Sequence, residues 1–382
     1  MNGWIDRAAA LAALGVKPQT LYAYVSRGRI GMRPDPTDPR RSLYRADDIA
    51  GLTNRRARSR RPAAIAASAI SWGEPMIETA ISTVHHGRLI YRGQDAVSLA
   101  GSATLEQVAA LLWQQDGAAR LGGEAAGEEG PFIALARLAG ESRPTLGRVA
   151  KRLWQDAETA ISRLALALGA AAGERPMHER LARGWATDAA TADLIRRTLV
   201  LMADHELNAS TFAARVAAST GASIAASLLA GLGALSGPFH GGAGAAVMAL
   251  VDEARRSGPR IAVRDYFVRA QPLPGFGHPL YPDGDPRALA LLAELPRDPL
   301  MAELREAAAE ASGAAPNIDF ALAALTLAAR LQRDAPFRLF AIGRSTGWAA
   351  HAMEQAATGH LIRPRARYEG LLPSERIDSA AP

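Results

Sequence analysis

Four short stretches of this sequence place a histidine or an aspartate beside glycine or proline. They are ADHELNAST around His205, GPFHGGAG around His240, PGFGHPLYPDGDPRA around His278 and APNIDFALA around Asp319. Glycine and proline favour turns, and glycine lets the backbone come close to a ligand. Imidazole and carboxylate groups are the side chains that most often move protons in enzymes. These four residues are therefore candidates for acid–base chemistry.

His240 precedes AAVMALVDEARR, a run with helical spacing, and is expected at the start of that helix. The positive end of a helix dipole disfavours imidazolium, so this histidine should stay neutral and donate one hydrogen bond. A neutral donor suits a carbonyl oxygen that gains negative charge during a reaction. The alternative is a histidine that only caps a turn.

Arginines occur near the same stretches. Arg287 ends the loop that begins at His278, and IGRSTGWAAHAMEQ is expected to set Arg344 before a helix. Arg363 and Arg365 lie in RPRARYEG near the carboxyl end. Each group also has an ordinary interpretation, since Asp319 could cap the following helix and the arginines could pair with surface carboxylates.

The elements that must position these residues are mostly helical by pattern from residue 70 onward. Apolar residues recur at three- and four-residue spacing in TLEQVAALLWQQ, VAKRLWQDAETAISRLALALGAA and DLIRRTLVLMADHEL. Alternating strand patterns are almost absent, and HGRLIYRG is the best strand candidate. The sequence contains no internal repeat, GxGxxG motif, P-loop or metal-ligand cluster, so no metal site is predicted.

Length and composition narrow the function classes. A chain of 382 residues with 48% hydrophobic residues exceeds one ordinary core, so two or three domains are expected. No apolar run reaches the roughly 20 residues of a membrane span, and the amino terminus lacks signal-peptide features. We therefore expect a cytoplasmic protein without a membrane partner. The absence of cysteine excludes disulfides, thiolate metal sites and cysteine nucleophiles.

Positive charge is concentrated at the amino terminus. Residues 1–62 contain 13 Lys and Arg residues and 5 Asp residues, a net charge of +8, whereas the remainder carries −2. In this region WIDRAAALAALGVKPQTLYAYVSRGRI predicts a helix, a turn at Gly15-Val16 and a second helix from Pro18 to Ser26. A basic segment, RPDPTDPRRSLY, and a returning helix, YRADDIAGL, follow.

This region resembles the winged helix-turn-helix module of the MerR and excisionase type. The resemblance covers residues 1–54, with a basic linker over 55–69. It implies a recognition helix from Gln19 to Arg27 in a DNA major groove, and Arg40 and Arg41 against phosphate. The alternative is a module that only docks on the rest of the protein or supports dimerisation.

From about residue 77 to residue 370 the chain resembles the citrate synthase family. The motifs that carry the resemblance are ETAIS, GRLIYRGQDA, LLW, ADHELNASTF, GPFHGGAG, GFGHPLYPDGDPRA, PNIDF and GRSTGWAAHAMEQ, all in the family's order. The resemblance implies an all-α homodimer with a large and a small helical domain, preceded here by the helix-turn-helix module. The implied boundaries are 70–241 for the large domain, 242–340 for the small domain and 341–382 for a return to the large domain.

The implied activity is a Claisen-type condensation of acetyl-CoA with oxaloacetate, without a permanently bound cofactor. By motif match Asp319 is the base, His240 the neutral donor to the thioester oxygen and His278 the second acid. Oxaloacetate is a dianion that guanidinium groups bind well. The resemblance assigns oxaloacetate to His205, Arg287, Arg344 and, from the other subunit, Arg363, and assigns coenzyme A to Pro274, Gly275, Phe276 and Gly277.

The sequence also departs from the family pattern. Pro279 and Pro282 stand where basic residues near the coenzyme phosphates are common, and Gly244 replaces a common asparagine. Two alternatives follow, a 2-methylcitrate synthase that uses propionyl-CoA and a DNA-binding regulator with a synthase-like metabolite sensor. The complete set of His240, His278 and Asp319 favours catalysis, whereas the missing basic residues favour the sensor.

Overall fold

A computed structural model describes residues 3–14, 21, 25, 30–35, 42–50, 77–124, 129–269, 271–366, 368 and 370. The chain divides into two compact units. One contains Met1–Glu78 together with Arg363–Pro382, and the other contains Thr79–Ile362.

The first unit contains a three-stranded antiparallel sheet and a short helix. Its elements are β1 (Trp4–Ile5), α1 (Arg7–Leu14), β2 (Met32–Pro34) and β3 (Ser42–Arg45), with strand order β1-β3-β2. The helix expected from Trp4 begins at Arg7, because Trp4 and Ile5 pair with β3 and the Asp6 carboxylate accepts the Ala9 N–H. A small core contains Ala10, Leu14, Leu21, Ile30, Tyr44 and Ile49.

The predicted helix-turn-helix is only partly covered by these elements. The antiparallel strands β2 and β3 overlap the two ends of the predicted basic wing, and residues 46–50 are helical as expected for the returning helix. The predicted turn at residues 15–16, most of the predicted recognition helix, and all of Gln19, Arg27, Arg40 and Arg41 lie outside the described residues. The DNA-binding module therefore stays a prediction.

The second unit begins with an antiparallel sheet and continues as helices. The strands are β4 (Ser82–His85), β5 (Arg88–Tyr91) and β6 (Gln94–Asp95), and β5 confirms the strand predicted in HGRLIYRG. The helices are α2 (Ala96–Ala100), α3 (Leu105–Trp113), α4 (Pro131–Glu141), α5 (Ala150–Ala167), α6 (Met177–Gly184), α7 (Ala189–Met202), α8 (Ala209–Ser219), α9 (Ile224–Leu235), α10 (Ala243–Ser257), α11 (Pro259–Val268), α12 (Pro286–Glu294), α13 (Pro299–Ser312), α14 (Ile318–Ala328) and α15 (Ala335–Thr358).

Side-chain caps fix where several of these helices begin. Thr104 and Gln107 form a capping box before α3, and Asn208 and Asn317 cap α8 and α14. Such caps satisfy backbone N–H groups that the first turn leaves without partners. The helices α3, α5 and α7 confirm the three segments predicted from apolar spacing.

The second unit has two apolar clusters. The larger one includes α3, α5, α7, α8, α9 and α15, with Trp348 fully buried in it. The smaller one is built from α10, α11, α13 and one face of α14. Helix α14 contributes Phe320 to the smaller cluster and Leu322 and Leu325 to the larger one, so its first turn lies where the two clusters meet.

Two expectations require correction. The all-α class omitted two three-stranded sheets, although the body of the protein is mostly helical. Arg344 does not precede a helix but lies in the middle of α15, whose 24 residues run through the expected domain boundary at residues 340 and 341. None of the described helices is both long and apolar enough to cross a membrane.

Candidate active site

His205 follows α7 on a loop that is tied to the sheet. Glu206 adopts a left-handed backbone conformation, and its carboxylate accepts the Val84 N–H at 2.5 Å. His205 is buried, and its Nε2 lies 2.9 Å from the Tyr281 hydroxyl. Burial, reinforced by the nearby positive charges of Arg287 and Arg344, lowers the pKa of His205 well below its usual range. The imidazole is therefore neutral.

His240 lies in the turn before α10, whose N-cap is Gly242. Its Nε2 is 2.7 Å from Ser210 Oγ, and Ser210 Oγ in turn accepts the Trp348 indole N–H at 3.1 Å. Burial, and secondarily the charge of Arg344, lowers the pKa of His240 to about 4. The predicted neutral state is thus supported, and burial and the charge of Arg344 both favour it.

The loop of residues 274–277 is hydrogen-bonded to the segment that precedes α14. The Gly277 N–H donates to the Ala315 carbonyl at 2.8 Å, and the Asn317 N–H donates to the Gly275 carbonyl at 2.9 Å. Gly275 has a φ of +83°, and a Cβ there would lie 2.9 Å from Val247. Glycine is therefore required at position 275. These contacts hold the His278 loop and the Asp319 helix together.

The other two residues assigned to coenzyme A belong to the same loop of residues 274–277. Phe276 packs on Phe320 of α14 with ring centroids 5.0 Å apart, and Pro274 is half-buried. Their described contacts support the loop, and their role toward coenzyme A stays a prediction.

His278 is in contact with both Tyr281 and His205. Its ring centroid lies 4.9 Å from that of Tyr281 and 5.2 Å from that of His205. Burial, together with the charge of Arg287, lowers the pKa of His278 to about 4. Three neutral histidines, at positions 205, 240 and 278, are therefore available as hydrogen-bond donors near neutral pH.

Arg287 already has a carboxylate partner within the protein. Its Nε and Nη2 atoms bind the two oxygens of Asp285 at 3.0 and 2.8 Å, and both residues are buried. Asp285 also accepts the Ile318 N–H at the start of α14, at 3.1 Å. Sequence reasoning missed Asp285, although it lies two residues before Arg287 in GDPR. Asp285 therefore orients the Arg287 guanidinium and offsets part of its positive charge.

Arg344 is the buried cation that has fewer partners. Its Nε donates to the Met202 carbonyl at 2.9 Å, whereas its buried Nη2 has no hydrogen-bond partner among the described residues. Burial lowers the pKa of Arg344 to about 10, an effect that the buried carboxylate of Asp204 opposes. Arg344 therefore remains charged at neutral pH and has a free donor for an anionic group.

Asp319 is the second residue of α14. Asn317 is the N-cap, and its side chain accepts the Asp319 N–H at 3.0 Å, so the interpretation of Asp319 as the cap is wrong. The Asp319 carboxylate has no hydrogen-bond partner among the described residues. Burial raises its pKa to about 6, although Arg287 and Arg344 act in the opposite direction. Such a carboxylate is ionised near neutral pH and basic enough to accept a proton.

Most of the residues predicted for the site lie close enough to influence one another. Arg287 and Arg344 lower the pKa values of both His205 and Asp319, and the His205 ring lies 5.2 Å from that of His278. Phe340 links two of them, since the His240 ring lies 5.3 Å from it and the Arg344 guanidinium 4.8 Å from it. Arg363 is exposed and belongs to the other compact unit.

A cavity of about 280 Å³ opens beside His278. It is lined by Gly277, His278, Tyr281, Pro282, Asp285, Ser312, Gly313, Ala314, Ala315 and Pro316. The described residues that line it include no lysine or arginine. The described part of the chain also contains no group of three histidine, aspartate or glutamate residues arranged to hold a metal ion.

Comparison with known proteins gives consistent similarities. A family model described as the C-terminal domain of citrate synthase matches residues 148–365. The citrate synthase of Haloferax volcanii is 38% identical over 191 residues, 47% of this chain and 50% of that protein. The 2-methylcitrate synthase of Shewanella oneidensis is 33% identical over 211 residues, 52% and 56% of the two chains. The chain spans about half the length of the curated relatives it matches.

Solved structures extend the similarity to about four fifths of the chain. Citrate synthase from Thermotoga maritima superposes with a TM-score of 0.63 and 26% identity, covering 80% of this chain and 96% of that one. The Thermoplasma acidophilum enzyme, in a ternary complex with carboxymethyl coenzyme A and oxaloacetate, gives a TM-score of 0.67 at 22% identity over 79% and 96% of the chains. These likenesses show a shared fold.

Proposed function

The chain belongs to the citrate synthase family, and from that premise we propose that it condenses acetyl-CoA with oxaloacetate to citrate and CoA. The observation that carries the proposal is the combination of a carboxylate with a pKa raised to about 6, at Asp319, and a neutral histidine at position 240. A thioester methyl group is a very weak acid, so its proton is removed only if the enolate is stabilised as it forms.

The first step uses these two residues. The Asp319 carboxylate takes a proton from the methyl carbon, and the His240 imidazole donates a hydrogen bond to the thioester oxygen as negative charge develops there. We assign the Ser210 hydroxyl as the donor to His240 Nε2, at 2.7 Å, so the proton of the neutral imidazole lies on Nδ1 and can be directed to the thioester oxygen. A neutral donor is held in position without the repulsion that a charged imidazolium would feel from Arg344.

The second step forms the carbon–carbon bond. The enolate carbon attacks the ketone carbon of oxaloacetate, and the ketone oxygen receives a proton through His278. Arg344, whose Nη2 has no hydrogen-bond partner in the described part of the chain, binds a substrate carboxylate, and Arg287 and His205 complete the pocket. Water then hydrolyses the thioester and releases CoA, and the proton on Asp319 returns to solvent. Acetyl-CoA is a co-substrate, and no resident cofactor takes part.

We also propose a two-domain body and a homodimer with shared sites. The smaller apolar cluster runs from Val247 to Ala324, which supports a small domain within residues 242–340, whereas α15 contributes Leu339 and Phe340 to the larger cluster and so belongs with the large domain. Four large apolar side chains on or near α4 and α5 are exposed and fit an interface between copies: Phe132, Ile133, Leu146 and Val149. Arg363 of one copy would then complete the oxaloacetate pocket of the other.

The second candidate donor is propionyl-CoA, which would make the protein a 2-methylcitrate synthase. The similarity to the 2-methylcitrate synthase of Shewanella oneidensis supports this second candidate. Gly244, by contrast, has a local explanation, because a Cβ there would lie 2.8 Å from Pro336 Cβ. The common asparagine would not fit at this position.

The test is release of CoA by the full-length chain with oxaloacetate and either acetyl-CoA or propionyl-CoA. We expect release that requires both substrates and a larger kcat/KM for acetyl-CoA, and Asp319→Asn is the inactive control. A larger kcat/KM for propionyl-CoA would establish the 2-methylcitrate reaction instead. Oxaloacetate binding without CoA release from either donor would contradict catalysis and support the metabolite sensor.

Residues 1–62 support a further proposal, that the amino-terminal module binds DNA. Their net charge of +8 and the antiparallel pair β2 and β3 fit a winged helix-turn-helix. Phosphate contacts would make binding to genomic fragments fall steeply with added salt and disappear on deletion of residues 1–62. Absent or salt-insensitive binding would contradict this proposal.

Since acyl-CoA thioesters are made and used inside cells, the proposed location of the protein is the cytoplasm.

A further inference from the structure

Tyr281 lies at the centre of the predicted site residues but was assigned no role from the sequence. It is only 2% exposed, and its ring contacts those of His205 and His278 with centroids 5.6 and 4.9 Å away. The Arg287 guanidinium lies 5.5 Å from the same ring. Tyr281 therefore contacts three residues that are expected to meet oxaloacetate.

The hydroxyl of Tyr281 makes one hydrogen bond within the described part of the chain. It lies 2.9 Å from His205 Nε2, and that imidazole is neutral. Burial raises the pKa of Tyr281 to about 12, so the phenol keeps its proton at neutral pH. Two arrangements satisfy these facts, since either the phenol donates to Nε2 or Nε2–H donates to the phenol oxygen.

The surroundings of the pair distinguish the two arrangements. If Nε2–H were the donor, the phenol proton would be left in a buried position with no acceptor among the described residues. Buried donors without partners are much rarer than acceptors with a spare lone pair. If the phenol is the donor, only a lone pair on oxygen remains unused. The His205 proton then lies on Nδ1, which makes no hydrogen bond to a described residue and is free for a ligand.

The substrate favours the same arrangement. Oxaloacetate offers only acceptor oxygens, so a lone pair on Nδ1 would repel it, whereas an N–H would bind it. We propose that the Tyr281 hydroxyl donates to His205 Nε2 and so fixes the tautomer whose Nδ1–H faces oxaloacetate. This inference rests on the proposed function and names a positioning residue, because Tyr281 acts on the substrate through His205.

The tautomer is measured by nitrogen-15 NMR of histidine-labelled, ligand-free, full-length protein, with the His205 signal assigned by its loss in His205→Gln. We expect wild-type His205 to carry its proton on Nδ1. In Tyr281→Phe we expect a mixture of His205 tautomers. Oxaloacetate binding, measured by calorimetry, should be about tenfold weaker, because the variant lacks the hydrogen bond that favours the binding tautomer. Tyr266→Phe is the matched control, because Tyr266 is half-buried beside the smaller apolar cluster and its hydroxyl has no described partner.

Wild-type His205 with its proton on Nε2 would overturn the inference without any variant, even if Tyr281→Phe failed to fold. Unchanged tautomer and affinity in a folded Tyr281→Phe would also overturn it. A protein that shows the predicted tautomer but releases no CoA with either acyl donor would contradict the proposed condensation and leave the role of Tyr281 on His205 intact. The two failures are thus distinguishable.

Discussion

Replacement of Asp319 by asparagine is expected to abolish activity and to stabilise the protein at neutral pH. Burial raises the pKa of this carboxyl from 3.8 to about 6, so the charged form is less favourable in the folded state than in the unfolded chain. A difference of roughly two pKa units corresponds to about 3 kcal/mol at 1.36 kcal/mol per unit. Because the side chain is partly exposed, we expect about 1 to 3 kcal/mol of added stability in Asp319→Asn. The amide has nearly the same shape, so packing should be unchanged.

The pH dependence of this effect follows from the direction of the shift. Below pH about 4 the carboxyl is protonated in both the folded and the unfolded chain, so wild type and variant should have similar free energies of unfolding. As pH rises to about 6 the unfolded chain ionises more readily than the folded one, and the wild type loses stability. Above pH about 6 the difference should be constant. Over the same range kcat should be lower in the variant by about 10²- to 10⁴-fold.

The assay is urea unfolding of both proteins at intervals from pH 4 to pH 8, with condensation activity measured on the same samples. Asp283→Asn is the matched control, because Asp283 is an exposed aspartate near the same site. A variant that is less stable than wild type at pH 7, or a stability difference that does not change with pH, would refute the claim that burial raises the Asp319 pKa. Near-wild-type kcat would remove Asp319 from the mechanism.

Three further outcomes are expected. The value of kcat/KM should fall below pH about 6, by about tenfold at pH 5, because Asp319 becomes protonated in this range. His240 and His278 stay neutral down to pH about 4 and should not contribute to this fall. A flat profile of kcat/KM down to pH 5 would contradict this expectation. Gly347→Ala should lower the free energy of unfolding, measured with urea, by at least about 2 kcal/mol, because its Cβ would lie 2.5 Å from the Ala203 carbonyl oxygen. Gly233 on α9 has open space around it, so Gly233→Ala is the control and should be neutral or stabilising in the same experiment. Equal effects of the two substitutions would argue against the close approach of α15 to the Asp204 segment. Mixing inactive Asp319→Asn and Arg363→Ala chains should restore part of the activity in an assay of mixed dimers, and no recovery in verified mixed dimers would assign Arg363 to its own chain.

Local sequence patterns predicted the helices and turns that depend on residues close together in the sequence. The apolar spacing of TLEQVAALLWQQ predicted α3, and the turn residues of GPFHGGAG predicted that His240 precedes a helix. The order of the motifs gave the family, which the match over residues 148–365 confirms. These signals lie within a few residues of the features that they predict.

Contacts between distant residues were not predictable in the same way. Tyr281 meets His205 across 76 positions of sequence, and Asp285 meets the backbone of Ile318 across 33. The local pattern of PGFGHPLYPDGDPRA, the stretch that contains Tyr281 and Asp285, does not indicate either contact. The position of Arg344 within α15 was missed because the glycines at 343 and 347 suggest a helix boundary. In the structure they allow close packing against the Met202 and Asp204 segment.

The central claim is that the protein removes one methyl proton from acetyl-CoA and joins the resulting enolate carbon to oxaloacetate. It is tested most directly with acetyl-CoA that carries three deuterium atoms on the methyl group, by mass spectrometry of the product formed with unlabelled oxaloacetate. The account predicts citrate that retains two deuterium atoms, formed by the wild type and not by Asp319→Asn. Absence of citrate, or citrate formed equally well by Asp319→Asn, would contradict it.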